Sequence, residues 1–248
     1  NDFSHVVRTT KDFQAQRVSE GQKVGVINLG CARNLVDSQA ILGRLKKNGH
    51  RIVDVEHADI AIVNTCSFIE DARKESIDAI LELIELKKQG KIKKVIVAGC
   101  LAQRYQKELL DQLPEVDYFL GTGDCEEIVT AVGKSLRGKR GAAVGIPNYL
   151  YNHITPRLLL TPSHYAYVKI SEGCEHHCTI CVIPQMKGPH RSREIQSVVL
   201  EVKQLTQSGI KEINLVSQDS SSYGRDRYGE VRLSELLRRL CEETPVQW

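Results

Sequence analysis

The chain of 248 residues is predicted to be α/β throughout, with an open parallel sheet first and the opening βα units of a barrel after it. Three observations lead there. Short Val- and Ile-rich runs alternate with amphipathic helical stretches. The alternation breaks once, in a segment dense in glycine and proline. It then resumes with the same βα order.

Taken in order, residues 1–22 are polar and without a sustained period, and are read as a tail. A strand is predicted over 23–28, then a helix over 35–48 with Gly49 as its stop. Strands at 51–55 and 60–64 precede a helix over 70–88 that carries Ile77, Leu81 and Ile84 on one face. A strand at 95–98, a helix near 103–113, a short strand around 118–120 and a helix near 125–136 complete a Rossmann- or flavodoxin-like unit over 23–136. Residues 137–162, with the basic Arg137, Lys139 and Arg140, are read as a connector. The second unit, 163–248, has strands at 165–170 and 213–216. Between them lies a helix striped by Ile195, Val198, Val199, Val202 and Leu205, and a helix over 233–241 follows. Two βα units cannot close a barrel and residue 1 is Asn, so the chain is expected to be a fragment with an incomplete second unit.

Composition narrows the class. At 41% hydrophobic and 26% charged, with no apolar run that could span a bilayer and no signal-peptide pattern, a cytoplasmic protein without a membrane partner is expected. A net charge of +3 is too small to imply nucleic acid. Eight cysteines stand out. A chain this large does not need disulfide staples, which leaves metal binding, catalysis or burial for reduced thiols.

The cysteines sort by position. Cys174, Cys178 and Cys181 share one loop just after the strand ending near Ile170. That spacing lets one loop fold three thiolates around a centre, leaving one iron of a cubane cluster open. His176 or His177 as a fourth donor would instead make a closed zinc site. Cys31, Cys66 and Cys100 each lie just past the carboxyl end of a predicted parallel strand. Those ends share the edge where ligands bind, so thiols distant in sequence can meet there; burial alone is the alternative. Gly30 and Gly99 beside two of them permit close backbone approach. Cys125 and Cys241 fit neither set and are read as packing residues.

The triplet Cys174-Glu-His-His-Cys178-Thr-Ile-Cys181 resembles the radical-SAM signature. Asn28-Leu-Gly-Cys-Ala-Arg-Asn, Val63-Asn-Thr-Cys-Ser-Phe-Ile and Val97-Ala-Gly-Cys-Leu-Ala are similar to the amino-terminal domain of the radical-SAM methylthiotransferase family. The resemblance runs from about Lys23 to Arg239. It implies two [4Fe-4S] clusters, with Cys174, Cys178 and Cys181 holding the one that cleaves S-adenosylmethionine and Cys31, Cys66 and Cys100 holding an auxiliary, sulfur-delivering one. In this scheme one S-adenosylmethionine methylates sulfur on the auxiliary cluster and a second yields the radical that abstracts hydrogen from the target carbon. Ile180, where the family usually has an aromatic residue, and Gln218 are implied beside bound S-adenosylmethionine, with Asp219 on the same loop. What the family adds, the rest of a TIM-like radical-SAM barrel and a C-terminal TRAM-type domain, is expected to be missing.

The segments Leu160 to Cys174 and Val216-Ser-Gln-Asp-Ser-Ser-Ser-Tyr-Gly are close to the branch that modifies an aspartate β-carbon of a small-subunit ribosomal protein. A transfer-RNA adenosine methylthiotransferase is the alternative within the family. An iron–sulfur or zinc module for structure or electron transfer, or an inactive fragment, are the alternatives outside it. An RNA substrate should require a basic groove with stacking surfaces, yet aromatic content is 5% and the basic runs are scattered. The resemblance also implies an electron donor such as flavodoxin or ferredoxin. No side chain is assigned an acid–base role.

Overall fold

Alternation of short buried strands with one-sided helices produces a doubly wound sheet. The structure, a computed structural model, describes residues 21–248; residues 1–20 of the expected tail lie outside that range. The first unit runs β1 (Lys23–Asn28), α1 (Ala32–Lys47), β2 (Arg51–Ile52), β3 (Ile60–Thr65), α2 (Glu70–Lys88), β4 (Lys94–Gly99), α3 (Cys100–Arg104), α4 (Gln106–Gln112), β5 (Tyr118–Leu120), α5 (Ile128–Leu136) and β6 (Gly141–Ala143). The strands are all parallel, in the order β2-β1-β3-β4-β5-β6. This is the flavodoxin-like order, and its switch point lies between β1 and β3.

Every residue of β3 is buried, as in a strand covered on both faces. Side-chain alternation sends Ile60 and Ile62 to the layer of Ile41, Leu45, Ile128 and Val132, on α1 and α5. Ala61 and Val63 face Ile80, Leu83, Leu101 and Leu109, on α2, α3 and α4. Neither α1 nor α2 has a side-chain cap at its start. Burial of such apolar side chains, about 1.5–3 kcal/mol each, therefore holds these helices in place.

Two expectations are corrected here. The apolar stripe of α2 is Ile77, Ile80 and Ile84 with Leu83, whereas Leu81 is 47% exposed. A residue four places after Ile77 fits the helical period, but Leu81 falls on the flank that turns to solvent. The connector 137–162 also contributes structure, because Gly141–Ala143 pairs with β5 as the sixth strand. Its small residues carry no hydropathy period; the backbone ladder alone makes it a strand.

The second unit runs β7 (Tyr165–Lys169), β8 (Ser171–Glu172), α6 (Ile183–Lys187), β9 (Arg191–Ser192), α7 (Ile195–Gln207), β10 (Glu212–Val216), α8 (Arg225–Tyr228) and α9 (Leu233–Glu243). Parallel β7 and β10 are joined through α7, whose predicted stripe packs with Val168, Ile170, Leu236 and Leu240. Among the described residues no helix is long and apolar enough to cross a membrane.

Connector residue Arg157 ties the units together. It donates to Gln39 of α1, to the Tyr167 carbonyl at 2.8 Å and to Glu201 of α7, which also accepts from Arg193 at 2.5 Å. Burial pushes the Glu201 carboxyl up, but the two guanidinium groups outweigh it and hold it below its ordinary 4.5. A depressed folded value means stabilisation that is complete above the ordinary value and lost as pH falls through the folded one. Urea midpoints should therefore decline on acidification below about pH 4.5. Glu201→Gln should be less stable at neutral pH and show a shallower decline. An unchanged acid limb in that variant would assign the effect to other carboxylates.

Candidate metal centres

The strand register brings the first three cysteines to one edge. Asn28 of β1 pairs with Asn64 of β3, and Asn64 with Ala98 of β4. Cys31, Cys66 and Cys100 follow these aligned positions by two or three residues, on three adjacent strands flanking the switch point. Contacts confirm the convergence. A Cβ on Gly30, whose φ is +87°, would lie 2.7 Å from Cys66 Cβ and 3.0 Å from its Sγ, so only glycine lets the Cys31 turn pass over Cys66. Cys100 Sγ lies 3.8 Å from Asn34 Oδ1, one turn after Cys31.

A buried amide network supports the thiols from beneath. Asn34 Nδ2 donates to Thr65 O at 2.9 Å and Leu29 O at 3.1 Å. Asn64 Nδ2 donates to Asn34 O at 2.8 Å and Ser38 Oγ at 2.9 Å, and Ser38 Oγ donates to Asn28 Oδ1 at 2.8 Å. Ser76 Oγ donates to the Cys66 carbonyl and accepts from its N–H. Thus the Cys66 backbone is held by Ser76, and the chain just before Cys31 and Cys66 by the buried Asn34 side chain.

The three thiols differ electrically. Burial raises the Cys31 thiol, but the Asn34 N–H and the Arg33 guanidinium outweigh it and leave it below its ordinary value. Burial pushes Cys100 up to about 11; Lys187 opposes this, and the nearby Cys66, Asp37 and Cys31 add to it. Metal binding deprotonates such a thiol outright, so the set suits a cationic centre that replaces three S–H protons. Three soft sulfur donors, on a rim where glycine leaves room, fit an iron–sulfur cluster.

The other three cysteines lie in the loop between β8 and α6. Cys174 is buried, Cys181 half-buried and Cys178 exposed. The short β8–β9 ladder and the Cys174 N–H to Gly188 O bond, at 3.2 Å, fix the loop entrance; Cys181 N–H to Cys178 O, at 3.0 Å, turns its far side. Gln218 is engaged on both ends of its amide, accepting from Gly173 N–H at 3.1 Å and donating to Glu172 Oε1 at 2.7 Å. Ile180 is 95% exposed. His177 is exposed, while His176 Nε2 lies 3.0 Å from Asp219 Oδ2. Burial works against the Asp219 carboxylate, yet hydrogen bonds from Ser221, Ser222 and His176 hold it well below the usual range.

Between the two sets of cysteines lies a charged cluster that sequence reading did not anticipate. Asp37 of α1 accepts from Lys169 at 2.6 Å and from Tyr151 at 2.5 Å, with Lys187 at 3.3 Å. Glu172 lies 2.6 Å from Lys169 and 3.4 Å from Lys187. All four charged side chains are at most 7% exposed. Burial alone would discharge Lys187, but Asp37 and Glu172 reverse that and hold its ammonium well above the ordinary range. Arg33 adds a second link, donating to Ser217 O at 2.9 Å beside Gln218.

The two remaining cysteines diverge. Cys125 is buried against Tyr151 Oη at 3.6 Å, as expected of a packing residue. Cys241 is exposed on α9, one position round from buried Leu240, so the packing reading fails there.

Residues 23–121 match the family described as "Uncharacterized protein family UPF0004". The chain is 50% identical over 227 residues to the ribosomal protein uS12 methylthiotransferase RimO of Desulforamulus reducens, covering 91% of this chain and 51% of that one. It is 49% identical to the RimO of Solibacter usitatus, over 91% and 48% of the two chains, and 43% identical to that of Clostridioides difficile, over 91% and 51%. The chain thus spans about half the length of these curated relatives. Among solved structures, the radical S-adenosylmethionine methyltransferase TsrM of Kitasatospora setae, with cobalamin and a [4Fe-4S] cluster bound, aligns with a TM-score of 0.57 at 15% identity. The alignment covers 88% of this chain and 52% of that one, a likeness of fold.

Proposed function

We propose that this chain, a member of the radical-SAM methylthiotransferase family by its 43–50% identity to RimO relatives, carries the two cluster-binding sites of an enzyme that inserts a methylthio group at the aspartate β-carbon of ribosomal protein uS12. The convergence of Cys31, Cys66 and Cys100 on the switch-point edge supports this reading most directly. A protein that needed only the radical-generating loop would have no use for a second set of soft donors across a buried seam.

In this reading residues 23–136 hold the auxiliary cluster, 137–162 connect, and 163–248 begin the barrel. Cys31, Cys66 and Cys100 hold one [4Fe-4S] cluster and Cys174, Cys178 and Cys181 the other. When bound, the clusters and S-adenosylmethionine supply sulfur, a methyl group and radical chemistry. The chain supplies position. Gln218 holds the entrance of the cysteine loop through Gly173 and Glu172. Exposed Ile180 offers an apolar surface to the adenosyl moiety. Arg33 joins the Cys31 turn to the Ser217 loop, so substrate and both centres share one frame. Electrons enter from an external donor such as flavodoxin or ferredoxin.

Anaerobic reconstitution with iron and sulfide tests the assignment. About eight irons per chain are expected, falling to about four when Cys31, Cys66 and Cys100 are all changed to Ala. Four irons in the unaltered chain, with no loss in the triple variant, would remove the auxiliary site. A full-length relative assayed against uS12 and transfer RNA side by side decides the substrate; modification of the RNA alone would overturn the choice of uS12.

A further inference from the structure

We propose that, when no iron–sulfur cluster occupies the second cysteine loop, the chain binds one zinc-type divalent cation through Cys174, His176 and Asp219. This goes beyond the methylthiotransferase reading, because the donor set takes one cysteine of the loop and two residues that the cluster does not use. The sulfur, a ring nitrogen and a carboxylate oxygen of these three residues all lie within 4.8 Å of one another.

The geometry is near that of a mononuclear site. Zinc bonds sulfur at about 2.3 Å and nitrogen or oxygen at about 2.0–2.2 Å, so the donors of a tetrahedral site stand roughly 3–4 Å apart. His176 Nε2 and Asp219 Oδ2 are already 3.0 Å apart. Only a small approach by Cys174 is needed, and His176, on an exposed loop with its side chain 61% exposed, can follow.

Asp219 is oriented for the task. Its Oδ1 accepts from the Ser221 N–H at 3.0 Å and from Ser221 Oγ at 2.6 Å, and its side chain is 10% exposed. One oxygen is therefore fixed by hydrogen bonds while the other faces His176, the arrangement in which neighbouring groups aim a metal ligand. Beside His176 and Asp219 lies a cavity of about 220 Å³, lined also by Glu175, His190, Ser222, Arg225 and Asp226. Its carboxylates outnumber the one arginine, and His190 is buried with Nδ1 unpartnered. The cavity gives a water access to the fourth position.

A sulfur–nitrogen–oxygen set selects zinc or cobalt over magnesium and calcium, which prefer oxygen alone. Binding exchanges the Cys174 S–H proton for the metal, and the proton leaves to solvent with no redox change. Because Cys174 belongs to both donor sets, the cation and the cluster are mutually exclusive. Zinc in the growth medium would hold the loop in a cluster-free state.

Cobalt titration of the cluster-free full chain under anaerobic conditions tests this. Tetrahedral d–d bands with a thiolate charge-transfer band are expected, and zinc should abolish them. Because Cys31, Cys66 and Cys100 can also take cobalt, the decisive readout is the dependence on single residues. His176→Ala and Asp219→Asn should each weaken the second-loop signal at least about tenfold. Cys178→Ala and Cys181→Ala should leave it unchanged. Far-UV circular dichroism checks that each variant is folded. Preloading with zinc should also slow iron uptake at this loop, and Asp219→Asn should relieve the delay. Cobalt binding that follows Cys178 and Cys181 but ignores His176 and Asp219 would overturn the proposal, as would a folded chain that binds none.

Discussion

Asp37→Ala should lower the unfolding free energy by about 3–5 kcal/mol, the cost of removing one partner from a buried ion pair. For a chain of this size that corresponds to a fall in melting temperature of roughly 6–20 °C. Asp37 is 4% exposed and accepts from Lys169, Lys187 and Tyr151. Two lysines and two carboxylates balance in that cluster; without Asp37 an extra positive charge stays in a space that water does not reach. The lysines cannot swing out, because Lys169 is fully buried on β7 and Lys187 ends α6. Asp37→Asn should cost less, since the amide oxygen still accepts. Asp37→Asn combined with Lys187→Met restores neutrality and should recover part of the loss, giving a coupling energy that a double-mutant cycle reads directly. Urea melts followed by circular dichroism are the measurement. A loss below about 1 kcal/mol for Asp37→Ala, typical of an exposed pair, would mean that the seam is wet.

The same cluster marks where sequence reading stops. The order of strands and helices was legible because parallel strands covered on both faces read as unbroken apolar runs, as Ile60-Ala-Ile-Val does. The cysteines were legible because the ends of such strands share an edge, and register puts Asn28, Asn64 and Ala98 level. By contrast, Asp37, Lys169, Glu172 and Lys187 form ion pairs up to 150 positions apart, and each looks like an ordinary surface charge in its own segment. Only the packing of α1 against β7 and α6 makes them one group. Asn34 and Asn64 were closer to reach. Each lies within three residues of a cysteine, Asn34 in the first turn of α1 and Asn64 near the end of β3, but hydropathy marks both only as polar and not as buried amides serving the backbone. Gly141–Ala143 escaped for the opposite reason, since its pairing rests on backbone groups that no side-chain pattern encodes.

Those buried amides make Gly99→Ala the other large effect. Gly99 has φ +95° and ψ −152°, a region in which a side chain costs about 1–3 kcal/mol. Its Cβ would stand 2.4 Å from Asn64 Oδ1 and 2.7 Å from Thr65 O, so crowding adds about 1–3 kcal/mol. Thr65 is β3 backbone and cannot yield, which leaves Asn64 to move. Asn64 holds Asn34 O and Ser38 Oγ, and Asn34 lies against the Cys100 thiol. The displacement therefore reaches Cys100 from both its chain neighbour and its support. Besides the stability loss, iron bound after reconstitution should fall from about eight toward about four, with the Cys174 loop still loaded. Gly209→Ala supplies the comparison. Its φ is +101° but nothing lies within 4 Å of the added carbon, so it carries the conformational cost without the crowding. If the two variants lose equal stability and bind equal iron, Gly99 serves only the backbone turn. If Gly99→Ala alone loses iron, close packing of β4 on the Asn64 amide is what keeps the first three thiols in register.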